Sequence, residues 1–183
     1  MTVKEIIKVV ATLLGREEVT DYLTGGERAS DQTMRAVDLM VRCTNLVISE
    51  LAGTYIPMTE TDAFDTPEIY FSDFKERIVK VLGVFDADGN QKRYTHCPDK
   101  IITGSGKTQI TYEYIPSNYG IDDVIGYEET DAPLLMLAYG VASELSLIER
   151  SFDESVSWRN RFIDALKKVV LPKNKKIKER RWC

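Results

Sequence analysis

The chain has 183 residues, about 43% of them hydrophobic, with 24 Lys+Arg against 29 Asp+Glu for a formal charge of −5. That is the size of one ordinary soluble domain, or one with a small appendage, and it is long enough to bury a core without disulfides or metals. The charge is segregated: residues 167–181 carry eight basic side chains against Glu179 alone, a net +7, which leaves −12 on the rest. A protein that grips nucleic acid over its whole surface is excluded, because a body this acidic repels phosphates.

In chain order, Val3, Ile6, Ile7, Val10, Leu13 and Leu14 fall on one helical face, and Gly15 stands where that helix would stop. A short helical piece follows over 17–23, ended by Gly25 and Gly26. Ser30 or Asp31 offers an N-cap for a long helix over about 31–52, whose apolar positions Met34, Val37, Met40, Val41, Val47, Ile48 and Leu51 recur at helical spacing and which Gly53 closes. From Thr54 to Pro116 the period changes to short Tyr, Phe, Ile, Val and Thr runs broken by turn residues, which is strand composition. Residues 77–85 and 91–96 read as a hairpin around Asp86-Ala87-Asp88-Gly89, and Ile101-Ile102 with 109–115 as a second pair around Gly104 and Gly106. In the last strand Ile110, Tyr112 and Tyr114 share one face. Helix returns with Asp131 as N-cap, Pro133 in the first turn and a stripe of Leu134, Leu137, Ala138, Val141, Leu145 and Ile148. A final helix from about Asp153 carries Val156, Trp158, Phe162, Ile163, Leu166 and Val169 until Pro172 ends it.

These elements predict an α+β protein that is mainly a helical bundle with an inserted small antiparallel β domain and an extended basic C-terminal arm. The expected divisions are 1–53 for the N-terminal helices, 54–116 for the inserted β domain, 117–171 for the C-terminal helices and 172–183 for the arm. Cys43, Cys97 and Cys183 form no paired framework, which fits a reducing compartment. The charged residues in the first apolar stretch are not those of a signal peptide, and the longest nearly uncharged apolar run, 132–143, is too short to span a bilayer.

Few motifs suggest chemistry. Gly104-Ser105-Gly106-Lys107-Thr108 has the composition of a phosphate loop, but Ile101 stands where the first glycine of that motif belongs, and the residues that follow are β-patterned rather than helical. A glycine-rich hairpin turn is the favoured reading. Placing Gly89 at the invariant glycine of a calcium loop puts Val84 at the first ligand position and Thr95 where a bidentate glutamate is needed, so 86–90 reads as a turn. His96, beside Cys97, is the only histidine, and the pairs Asp122-Asp123 and Glu128-Glu129 have no spacing that places them in a pocket. The sequence therefore predicts no catalytic residue, no metal ligand and no cofactor. The basic end, with Lys173, Lys175, Lys176, Ile177, Lys178, Arg180, Arg181 and Trp182, has too few apolar residues for a core and reads as an arm that docks on a partner, with Trp182 and Ile177 as apolar anchors.

The segments 110–116, 134–144 and 152–162 and the terminal Arg180-Arg181-Trp182, in that order, resemble the head-to-tail connector (adaptor or head-completion) proteins of tailed bacteriophages. The resemblance spans roughly residues 77–182 and rests on the order of elements. It implies a non-enzymatic virion protein, made and assembled in the host cytoplasm, that forms a homo-oligomeric ring on the order of twelve copies at the head-tail junction. The implied partners are the portal protein, tail or neck proteins, and genomic DNA that passes through an acidic lumen without specific binding; no membrane is involved. The residues implied to dock to the portal are Lys173, Lys175, Lys176, Ile177, Lys178, Arg180, Arg181 and Trp182. Two other readings follow from the residues alone: a binding module whose basic arm contacts nucleic acid, and a nucleotide-binding enzyme using the 104–108 loop.

Overall fold

A computed structural model describes residues 1–26, 30–104, 106–128 and 130–170. The described residues divide into two compact units, one made of those in 1–47 and 119–170, the other of those in 48–118.

In the first unit, α1 (Val3–Leu13) starts at a capping box. Thr2 Oγ1 accepts a hydrogen bond from the Glu5 backbone N–H at 3.2 Å, and a Glu5 carboxylate oxygen accepts one from the Thr2 N–H at 2.7 Å, which satisfies two helix-end donors reciprocally. Thr2→Ala is expected to cost about 1 kcal/mol, measured as a lower midpoint in urea unfolding. The α1 face Val3, Ile6, Ile7, Val10 and Ala11 is buried, and Gly15 takes the left-handed conformation (φ 65°) that lets the chain turn into α2 (Glu17–Leu23). Ser30 caps α3 (Asp31–Glu50), its hydroxyl accepting from the Thr33 N–H at 3.1 Å. The helix does not end at Gly53 as the sequence suggests; a π-helical turn, Leu51–Tyr55, continues it in the second unit.

The helix α4 (Leu134–Ile148) follows Pro133, and no side chain caps it, so Asp131 does not play the expected role. It is apolar on nearly every side and runs through the middle of its unit, where it packs on α1 and on α5 (Phe152–Val170). The α4–α5 turn is short and tight. Arg150 adopts φ 65°, and the Ser151 N–H reaches back to the Ser146 carbonyl at 2.9 Å, the wrap that ends many helices.

The second unit contains two three-stranded antiparallel sheets, ordered β1-β6-β3 and β2-β5-β4. Their strands are β1 (Met58–Phe64), β2 (Glu68–Tyr70), β3 (Arg77–Asp86), β4 (Thr95–His96), β5 (Lys100–Ile102) and β6 (Thr108–Ile115). They enclose a core of Ile69, Phe74, Val84, Ile101, Ile110 and Tyr112.

The expectation of a mainly helical bundle with one small inserted sheet is thereby corrected. The protein is α+β, with five α-helices among the described residues and two sheets that form a compact unit with its own core. The expected pairings change as well. β3 pairs along β6, matching Ile78 with Tyr114, Val81 with Tyr112 and Val84 with Ile110, rather than folding back on 91–96. Only Phe85–Gln91 and the turn bonds of 84–92 remain of that hairpin. β5 pairs with β2 and β4, not with β6. The long pairing wins because it places one continuous row of apolar side chains on the inner face of β6, which a local hairpin would leave uncovered.

Candidate interaction surfaces

The residues singled out for chemistry are dispersed. His96 lies in β4 with its ring 5.4 Å from that of Phe71, and Cys97 is half-buried beside it. Cys43 is buried in α3; burial first, then the nearby Glu144 and Glu149, pushes its thiol up to about 11, so it stays protonated and a poor nucleophile. Asp86 spends its carboxylate on its own turn, accepting from the backbone N–H groups of Asn90 at 2.8 Å and Asp88 at 2.9 Å; the Asn90 bond contributes most to holding its pKa below the usual value. Gly89, at φ 83°, completes that turn. Gly104 and Gly106, at φ 73° and 94°, lead into β6 rather than into a helix, so the backbone amides are not arrayed at a helix N-terminus around a phosphate. Asp122, Asp123 and Glu128 are exposed, with Asp123 accepting from the Gly120 N–H at 2.6 Å; Glu129 and Ser105 lie outside the described residues. Among the described residues no group of three or more His, Cys, Asp or Glu side chains is arranged to hold a metal ion.

The described residues line two shallow hollows, among others. One, of about 320 Å³, lies along β3 from Arg77 to Val81 beside Phe71 and His96. The other, of about 300 Å³, lies at the α1–α2 turn beside Arg16, whose guanidinium donates to both oxygens of Glu149 at 2.6 and 2.7 Å. Neither gathers a nucleophile with a base.

An exposed apolar surface lies along α5. Its inner side is anchored by Ser155, Phe162 and Leu166, all buried, with the Ser155 carbonyl accepting from the Ser143 hydroxyl of α4 at 3.1 Å. The Phe162 ring enters where α4 has Gly140: a Cβ there would lie 3.1 Å from that ring and 2.9 Å from Val47. Arg161 covers the Trp158 ring at 4.8 Å, and Trp158 stacks on Tyr139. A second apolar row, Phe152, Val156, Ile163 and Val170, runs along the same helix. Phe152 is 62% exposed, Val156 61% and Val170 46%, and Ile148 at the end of α4 is 49% exposed beside them in sequence.

The sequence expectation places Val156, Trp158, Phe162, Ile163, Leu166 and Val169 on this helix without separating an inner from an outer side, and it does not include Phe152 or Val170. The distinguishing signal was present, since six apolar residues between 156 and 169 cover more of the helix circumference than a single neighbouring helix can bury. The arm residues Lys173, Lys175, Lys176, Ile177, Lys178, Arg180, Arg181 and Trp182 lie outside the described residues. Among those described, no helix is long and apolar enough to cross a membrane. No family model matches the chain, and no curated protein matches it.

Proposed function

We propose that this is a structural, non-enzymatic protein that assembles side by side with copies of itself into a ring, and that the ring joins the portal to the tail of a tailed bacteriophage. The observation that carries the assembly part is the second apolar row of α5, in which Phe152, Val156 and Val170 are exposed and Ile163 is half-buried among the described residues. Exposed rows of large apolar side chains along a whole helix are the material of protein–protein contacts. The portal and tail assignment rests on the order of elements from 77 to 182 and on the charge partition.

The partition fits a conduit. A ring around DNA must let it pass, and each lysine–phosphate contact adds sequence-independent affinity that slows passage, so a body of −12 suits the lumen. Of the +7 over 167–181, Lys167 and Lys168 belong to α5, and the remaining +5 beyond Pro172 is available to dock on an acidic portal surface. The entropy cost of ordering each arm is offset collectively when many copies bind one symmetric platform. Removing residues 173–183 is expected to leave the fold intact, as read by circular dichroism, while abolishing co-sedimentation with purified portal rings and yielding filled heads without tails. Tail attachment at the wild-type level by the truncated chain would overturn the docking role of the arm.

The basic segment also supports a second reading, direct contact of the arm with nucleic acid. Its signature is DNA binding that weakens steeply with salt and disappears when Lys175, Lys176, Arg180 and Arg181 are neutralised together.

A further inference from the structure

We infer that Arg150, at the α4–α5 turn, is a contact residue for a second copy of this chain, its guanidinium taking a carboxylate of that copy. The inference rests on the assembly proposed above and names one of its residues.

Three helices end in the same backbone wrap. At the end of α1 the Gly15 N–H reaches the Thr12 carbonyl at 3.3 Å and the Arg16 N–H the Ala11 carbonyl at 2.8 Å. At the end of α2, Gly25 and Gly26 do the same to Tyr22 and Asp21, at 3.3 and 2.9 Å. At the end of α4, Arg150 and Ser151 do it to Leu147 and Ser146, at 3.1 and 2.9 Å. The residue that must turn left-handed has φ 65° in Gly15, 96° in Gly25 and 65° in Arg150. Glycine suits that place, because a β-carbon there crowds the neighbouring carbonyl. The chain uses glycine at two of these ends and arginine at the third, and Arg150 is the only non-glycine residue of positive φ among those described.

Strain of this kind collects where a side chain is wanted for contact or switching. Inside its own chain Arg150 has no such use. It is exposed, and among the described residues its side chain makes no hydrogen bond, ion pair or ring contact. The adjacent carboxylate, Glu149, already has both oxygens on the Arg16 guanidinium, at 2.6 and 2.7 Å. Asp153 and Glu154 stand in the first turn of α5, where the helix N-terminus favours their charge without a partner.

Two features select a second copy as the source of the carboxylate. Arg150 lies between Ile148 and Phe152, 49% and 62% exposed, and so continues the outer row of α5 through which copies are proposed to meet. Outside 167–181 each copy carries −12, so a neighbouring body holds more carboxylates than its own cations can pair, and two such bodies repel unless a cation stands between them. A guanidinium fits that place, since its planar fork bonds both oxygens of a carboxylate.

The test substitutes glycine, which the backbone prefers and which removes the guanidinium. In solution dilute enough for both chains to be monomeric, full-length Arg150→Gly is expected to melt about 2–4 °C above the wild type. At higher concentration its self-association, followed by sedimentation velocity, is expected to be about tenfold weaker or more. Arg150→Lys keeps the charge and the β-carbon, so it is expected to melt with the wild type and to associate between the two. An Arg150→Gly chain that associates as tightly as the wild type, or gains no stability, overturns the inference and leaves the ring proposal standing. Unchanged self-association with loss of co-sedimentation with portal rings puts the carboxylate on the portal and overturns it as well. A wild type that stays monomeric alone and with portal overturns both.

Discussion

Phe162→Ala is expected to lower the stability of the helical unit by about 3–5 kcal/mol, the usual cost of truncating a fully buried aromatic side chain. Phe162 is wholly buried, and its ring fills the space left by the missing side chain of Gly140, close to where Val47 approaches from α3. One ring therefore ties α5 to the α4 site that also receives α3, and a cavity there cannot be refilled by the short side chains around it. Urea unfolding followed by circular dichroism gives the total loss, and hydrogen exchange over residues 1–26 and 134–170 shows where protection falls. A loss under about 1 kcal/mol would mean that the ring is not packed as described.

The second large effect lies in the β unit. Asp62 of β1 is buried and accepts hydrogen bonds from the Tyr112 hydroxyl at 2.8 Å and the Lys75 backbone N–H at 3.1 Å; its other oxygen lies 3.0 Å from the Lys75 ammonium in an ion pair. Burial alone would raise the carboxyl pKa, but the bonds from Lys75 and Tyr112 together outweigh it and hold the group below its ordinary value near 3.8. For Tyr112, burial first and the Asp62 bond second raise the phenol far above its usual value, so it remains a donor. Tyr112→Phe removes a bond to a buried charge and is expected to cost about 1.5–3 kcal/mol at neutral pH.

The pH dependence follows from the sign of the Asp62 shift. A carboxylate whose folded pKa is depressed contributes its full stabilisation above the unfolded value and loses it as pH falls through the folded one. Wild-type stability is therefore expected to decline on acidification below about pH 4. Asp62→Asn, already less stable at neutral pH, should show a shallower decline over the same window. Denaturant titrations of both chains at neutral and acidic pH measure this, and identical slopes would exclude Asp62 as the titrating group.

Local signals in the sequence located much of this structure. The α1 face from Val3 to Val10 and the inward alternation of Ile110 and Tyr112 on β6 follow directly from periods of 3.6 and 2. Strand partnership did not follow, because Asp88-Gly89 is a strong hairpin signal and nothing local reveals that Ile78, Val81 and Val84 extend the inner face of β6 from the neighbouring strand. Reading one sheet instead of two comes from the same source, since β2 and β4 are only three and two residues long and are defined by β5 between them. The outer row of α5 was present as residues but not as a surface. Val156 and Ile163 look like core until Phe162 and Leu166 are seen to occupy the side that faces α4.

The charge partition and the outer row of α5 bear on different partners, the first on DNA and portal, the second on neighbouring copies. Both are tested together by electron microscopy of the full-length protein mixed with purified portal rings. The expected result is closed rings stacked coaxially on the portal, with an open central channel and with density for residues 173–182 against the portal surface. Portals that remain bare, beside a protein that stays monomeric, would contradict the proposed adaptor.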